Sequence, residues 1–199
     1  MPMPLSQPTF ERTLADYFRE RLQELGADLN PTPQEDTLWY MGNMLARFGD
    51  SDQLFCYDEG ELGIRPLAML YKDAHETSDH RERCLLLRQL GDVALFVGAL
   101  FPESYARRGI VKDYFVGMGG GAYGYLSENA RQNRHVFSEL ASTFTRMLEL
   151  VARACSKETQ FDANDVLNLY QRWRRNRDPR LEEQLRALGI SVEGEDRIH

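Results

Sequence analysis

The chain has 199 residues, with 31 acidic against 24 basic side chains and a formal charge of −7, a balance that weighs against general nucleic-acid binding. Hydrophobic residues make up 42% and charged ones 28%, the proportions of an ordinary globular protein, and the length suffices for one domain with a sizeable core. Cys56, Cys84 and Cys155 are widely spaced and odd in number, which reads as reduced thiols in a cytoplasmic protein and not as a disulfide framework. The opening MPMPLSQPTF lacks a basic residue followed by an apolar run, so no signal peptide is expected.

In chain order, Thr9 is expected to cap a helix running to Gly26, with Phe10, Leu14, Tyr17, Phe18, Leu22 and Leu25 at helical spacing. After the linker ADLNP, Thr32-Pro33-Gln34-Glu35 reads as a capping box with proline at the first helical position. The helix it opens carries Leu38, Trp39, Met41, Met44, Leu45 and Phe48 and stops at Gly49. Residues 49–63 are rich in Gly and Asp and read as an irregular connection, with room for a short extended piece at 54–57. A further helix is expected over 65–76.

Ser78 or Asp79 then caps the segment around which the chain is organised, a central helix over 79–101 ended by Pro102. Between Leu85 and Phe101 apolar residues occupy nearly every face, the mark of a helix buried in a bundle. Its uninterrupted apolar run covers 93–101, nine residues. A bilayer needs roughly 20, so no membrane span is expected. Gly91, Ala94 and Gly98 form a strip of small residues at i, i+3 and i+7. Each interior glycine costs about 1 kcal/mol against alanine, which is explained if another backbone approaches there. Asp92 sits in the same apolar setting, where an unpaired carboxylate would be neutralised or would need a cationic partner. Arg107 and Arg108 are the nearest candidates in sequence. The plainer reading is a structural ion pair or hydrogen bond, the other a functional carboxylate.

Residues 110–126 hold Gly117, Gly119, Gly120, Gly121 and Gly124. As a helix, straight or kinked, they would set Gly117, Gly121 and Gly124 on one face to match the strip on the central helix; as a loop they would break near Gly119. The helix is preferred. Residues 134–155 form the clearest amphipathic helix, from Val136 and Phe137 through Phe144 and Met147 to Val151 and Cys155. Asp162 begins another helix bearing Val166, Leu167, Leu169, Tyr170 and Trp173, and Asp178-Pro179 caps a last one with Leu181, Leu185 and Leu188 inward and Gly189 as its stop. The sum is an all-α protein, a single helical domain over 1–199 with seven or eight helices, fraying at 1–8 and 190–199.

Gly119, Gly121 and Gly124 spell G-x-G-x-x-G, but no strand precedes them and no parallel strands are expected, so close helix packing or a flexible break is the better reading. His75, Glu76, Asp79, His80 and Cys84 cluster in sequence, yet the helix start at 77–79 separates them, and they read as solvated side chains instead of metal ligands. No G-x-S-x-G occurs, and four histidines leave few general bases. Arg172, Arg174, Arg175, Arg177 and Arg180 surround Trp173 as the one basic patch, paired with Asp178, Glu182 and Glu183 or able to hold phosphate, an acidic protein or nucleic acid. Tyr105, Tyr114, Phe115, Tyr123 and Tyr125 concentrate aromatics that could line a pocket, a partner surface or ordinary core.

Leu90-Gly91-Asp92, Leu95-Phe96, Phe101-Pro102-Glu103, Arg107-Arg108, Met118-Gly119 and Ala122-Tyr123, with the later LNLYQRW, make the chain resemble an uncharacterised family of helical bacterial proteins. The resemblance covers perhaps half of the chain. It implies a bacterial origin and suggests that Asp92, Glu103, Arg107 and Arg108 belong together. With Tyr114 and Tyr123 they are the candidate polar cluster beside the central helix. The expected function is that of a regulatory or accessory protein-binding module, with a protein partner or self-association as a homodimer. The alternatives are a helical enzyme or ligand-binding protein with a small-molecule, haem or metal pocket near Asp92, and nucleic-acid binding through Arg172, Arg174, Arg175 and Arg177. The residues assign no catalytic group, metal or cofactor.

Overall fold

The computed structural model describes residues 13–48, 55–58, 61–102, 106–107, 109–155 and 163–187. Helix α1 (Leu14–Gly26) starts later than the sequence suggests. Thr13, not Thr9, is the cap: its hydroxyl accepts from the Asp16 N–H at 3.1 Å, and the Asp16 carboxylate accepts from the Thr13 N–H at 3.4 Å. An aspartate here does the work of the usual glutamate in a capping box. Thr9 and Phe10 lie outside the described residues.

Helix α2 (Glu35–Phe48) is capped in a way the sequence does not suggest. The Thr32 hydroxyl donates to the Leu29 carbonyl, so the expected box does not form. The Gln34 N–H instead donates to both carboxylate oxygens of Glu139, at 3.1 and 3.2 Å. Gly42 lets α2 touch the backbone of α1, for a Cβ there would lie 3.1 Å from the Arg19 nitrogen. Strands β1 (Phe55–Asp58) and β2 (Glu61–Ile64) pair antiparallel, Phe55 opposite Ile64 and Asp58 opposite Glu61. The extended piece expected near 54–57 is therefore one arm of a hairpin, and its second arm falls in the stretch read as irregular. Helix α3 (Leu67–Glu76) follows Pro66, two residues after the expected start.

Helix α4 (His80–Leu100) is the central helix, started by the Asp79 carboxylate accepting from the Arg81 N–H at 2.8 Å. Helix α5 (Lys112–Asn129) runs unbroken through all of its glycines, so the loop alternative falls away. Residues 134–155 are two helices and not one: α6 (Arg134–Ser142) and α7 (Phe144–Ala154). Thr143 interrupts them with φ −122° and ψ 22°, its hydroxyl donating to the Glu139 carbonyl at 2.6 Å. The break lets α6 lie on α5 and α2 while α7 turns beneath α4 and α1. Helices α8 (Ala163–Asn176) and α9 (Pro179–Ala187) form a final pair, with Asp178 accepting from the Arg180 N–H and Pro179 as the first helical residue. Asp162, Leu188 and Gly189 lie outside the described residues, as do both stretches expected to fray.

The described chain is thus an all-α bundle with nine helices, one more than the upper count expected because of the break at Thr143, and one short hairpin. Helix α4 runs between α3, α5 and α7. Leu90, Leu95, Tyr123, Leu126, Leu140 and Met147 are almost wholly buried, each such aliphatic side chain contributing about 1.5–3 kcal/mol.

The glycine strips act differently from expectation. What approaches Gly91 is a ring, not a backbone: a Cβ there would sit 2.7 Å from the Tyr123 ring. Gly98 faces Leu148 and Phe115, and Gly119 makes room for Phe144. Gly117, Gly121 and Gly124 do not pack against α4 at all, and a Cβ at any of them would meet nothing within 4 Å. Among the described residues no helix is long and apolar enough to cross a membrane.

Candidate functional site

Asp92 is 2% exposed and is the hub of a hydrogen-bonded cluster tying α2, α4 and α5 together. Its Oδ1 accepts from the Tyr40 hydroxyl at 2.6 Å and from the Tyr123 hydroxyl at 2.8 Å. Its Oδ2 accepts from Arg47 Nη2 at 2.7 Å, with Arg88 Nε 4.0 Å away. Arg88 Nε donates instead to the Tyr40 oxygen at 3.1 Å, and its guanidinium lies over the Tyr40 ring, 5.1 Å from the centroid. Helical spacing explains the assembly: Tyr40 and Arg47 are two turns apart on α2, and Arg88 and Asp92 one turn apart on α4. Phe137 stacks on Tyr123 and meets Tyr40 edge-on, closing the cluster from α6.

The partners differ from those expected. Arg107 is exposed and is not bonded to Asp92, while Arg108 and Glu103 lie outside the described residues. Tyr114 is half-buried and packs edge-on against Phe115. Of the described candidates, Asp92 and Tyr123 meet, and Tyr40, Arg47 and Arg88 join them. Arg88 was within reach of sequence reasoning, being four residues before Asp92, whereas nothing in sequence spacing points to Tyr40 or Arg47.

Chemically this cluster joins three helices, with both Asp92 oxygens and both tyrosine hydroxyls engaged. Burial first, then the Asp92 charge, pushes both Tyr40 and Tyr123 well above the ordinary tyrosine range, so both remain hydroxyl donors. Burial also raises the Cys84 thiol, against a smaller opposing effect of Arg83, so it stays protonated. Its Sγ contacts the Asn129 carbonyl at 3.9 Å. Among the described residues no three His, Cys, Asp or Glu side chains converge.

The accessible space lies elsewhere. A groove of about 620 Å³ runs between α3, α4 and α5. Its floor is Ala74, Leu87, Leu90 and Ala122, its walls are Tyr71 and Tyr125, and Gly117 and Gly121 leave the α5 side open. His75 stacks on Tyr71, and Arg83 is held in place by donating to the Ala74 and Thr77 carbonyls at 3.0 and 2.6 Å. In the basic patch, Arg172 and Arg175 are exposed and Arg174 is half-buried. Arg177 stacks on the Trp173 ring at 4.5 Å, and the Glu182 expected among their partners pairs with Arg186.

No family model, curated protein or solved structure matches this chain.

Proposed function

We propose that this protein is a binding module that takes an amphipathic helix of a protein partner into the groove between α3, α4 and α5. The observation that carries the reading is the bare face of α5 at Gly117 and Gly121, exposed in mid-helix with no neighbour using the space. Two such glycines cost about 2 kcal/mol together against alanine, a cost that close approach of a second helix would explain. Gly117 to Gly124 spans about 10 Å at the helical rise, the length of two turns of an incoming helix. Tyr71 and Tyr125 flank the trough with the residue type favoured as interface anchors, and the floor is apolar, as helix-in-groove recognition requires.

The test is native mass spectrometry of the protein purified from its own host at native abundance, beside the Gly117→Leu/Gly121→Leu variant. Both positions have room for a side chain, so the variant should keep its circular dichroism melt while filling the groove. The expected result is a stoichiometric protein partner on the wild type and none on the variant. A homodimer, or a wild type that carries no protein partner, overturns the reading.

A further inference from the structure

We propose that a second cavity, between α4 and the turn joining α5 to α6, binds a small phosphate monoester. The cavity measures about 330 Å³ and shares no lining residue with the groove. Arg81, Arg88 and Arg131 line it together with His80. Among the described residues that line it, none is acidic, in a chain whose formal charge is −7. Of the three guanidinium groups gathered in this concave site only Arg88 has a described carboxylate near it, Asp92 at 4.0 Å behind the wall, and a bound anion relieves the repulsion that remains.

Arg88 is built into the wall. Its Nε is committed to Tyr40 and its face to the Tyr40 ring, which fixes the plane of the guanidinium. Its two Nη groups bond to no described residue and remain as the paired donors that match two oxygens of a phosphate. Arg81 and Arg131 are exposed and ion-pair with no described residue, so both can close over a ligand. Gln132 and Asn133 add amide donors at the same rim. Leu85, Leu126, Ala130 and Phe137 supply the apolar part of the lining, and Cys84 and Asn129 complete it. A cavity near 300 Å³ exceeds a bare phosphate and suits one carried on a small organic body. An apolar wall opposite a cationic one selects the ester over the free ion.

The test is isothermal titration calorimetry at low ionic strength with phenyl phosphate and with inorganic phosphate as probes. The variants are Arg131→Gln and Arg81→Gln/Arg131→Gln, with Arg175→Gln on α8 as an equal loss of charge elsewhere. The wild type should bind phenyl phosphate saturably and more tightly than inorganic phosphate. Loss of a charge-assisted contact should weaken binding at least about tenfold in Arg131→Gln and further in the double variant, with Arg175→Gln unchanged. Added salt should weaken it as well. Absence of saturable binding, equal affinity for the two probes, or the same loss in Arg175→Gln would overturn the assignment. Circular dichroism melts establish that the variants are folded, which their exposed positions favour.

Discussion

Removing the Asp92 carboxylate tests whether the buried cluster pins the fold. In Asp92→Ala the Tyr123 hydroxyl, in a side chain with no exposure, loses its acceptor, at a cost of about 1–3 kcal/mol. Tyr40 keeps the bond it accepts from Arg88 but loses the one it donates, adding about 1 kcal/mol. Arg47 and Arg88 are 39% and 40% exposed, so both can turn their charge to water and lose little. The small void left behind brings the sum to about 4 kcal/mol, within the range for breaking a buried ion pair. At about 2–4 °C per kcal/mol for a chain of this size, Tm should fall by roughly 8–16 °C. Urea unfolding followed by circular dichroism measures the loss directly, and a double-mutant cycle with Tyr123→Phe isolates one arm of the cluster. A coupling of about 1–3 kcal/mol is expected for groups in direct contact. If Asp92→Ala costs less than about 1 kcal/mol, or if the two substitutions simply add, the cluster is not what joins α2, α4 and α5.

Two further expectations follow from the same geometry. Gly91→Ala drives a methyl into the buried Tyr123 ring and should cost about 1–3 kcal/mol as overpacking, whereas Gly121→Ala, with nothing within 4 Å, should stabilise by up to about 1 kcal/mol; a urea series containing both gives opposite signs. Because Tyr40 and Tyr123 have pKa values raised in the folded state, the stability they contribute is fully present below the unfolded tyrosine value of about 10 and is lost as pH rises toward their folded values. Above pH 10 the native state holds two protons that the unfolded chain releases, so stability should fall by up to about 2.7 kcal/mol per pH unit, and a Tyr40→Phe/Tyr123→Phe variant should lose most of that slope in alkaline urea titrations.

Helix type and order were legible wherever apolar residues repeat at helical spacing, as in α4 and α7. The start of α4 was legible to within one residue, because Ser78 and Asp79 both carry side chains able to cap a helix. The break at Thr143 was not, since Phe144 and Met147 continue the apolar phase of Phe137 and Leu140 across it, and the interruption is visible only in a backbone angle. Thr32 carried the outward pattern of a cap, yet its hydroxyl went to Leu29, because Glu139 arrives through tertiary packing to satisfy the same helix end. The site divides in the same way. Asp92 was conspicuous as a carboxylate in an apolar helix, and that need for partners was read correctly. Which described partners supply them depends on how α2 lies against α4, whereas sequence proximity pointed to Arg107, which is exposed and not bonded to Asp92, and to Arg108, which lies outside the described residues. The small-residue strips were equally visible, but a glycine does not say whether it admits a backbone, a ring or a partner. Gly42, Gly91 and Gly121 exemplify the three cases, the last by proposal.

The cap that Glu139 places on Gln34 spans 105 positions of chain, and this has a consequence for how the protein is born. At roughly 5–20 residues per second, Gln34 leaves the ribosome about 5–20 s before the carboxylate that closes its helix. Tyr123 likewise follows Asp92 by 31 positions. During that interval α2 has α1, made before it, to pack against, but neither the Glu139 carboxylate at its first turn nor a completed cluster around Tyr40 and Arg47. The pair α1–α2 can therefore form early, while the start of α2 is fastened only when its distant partners emerge.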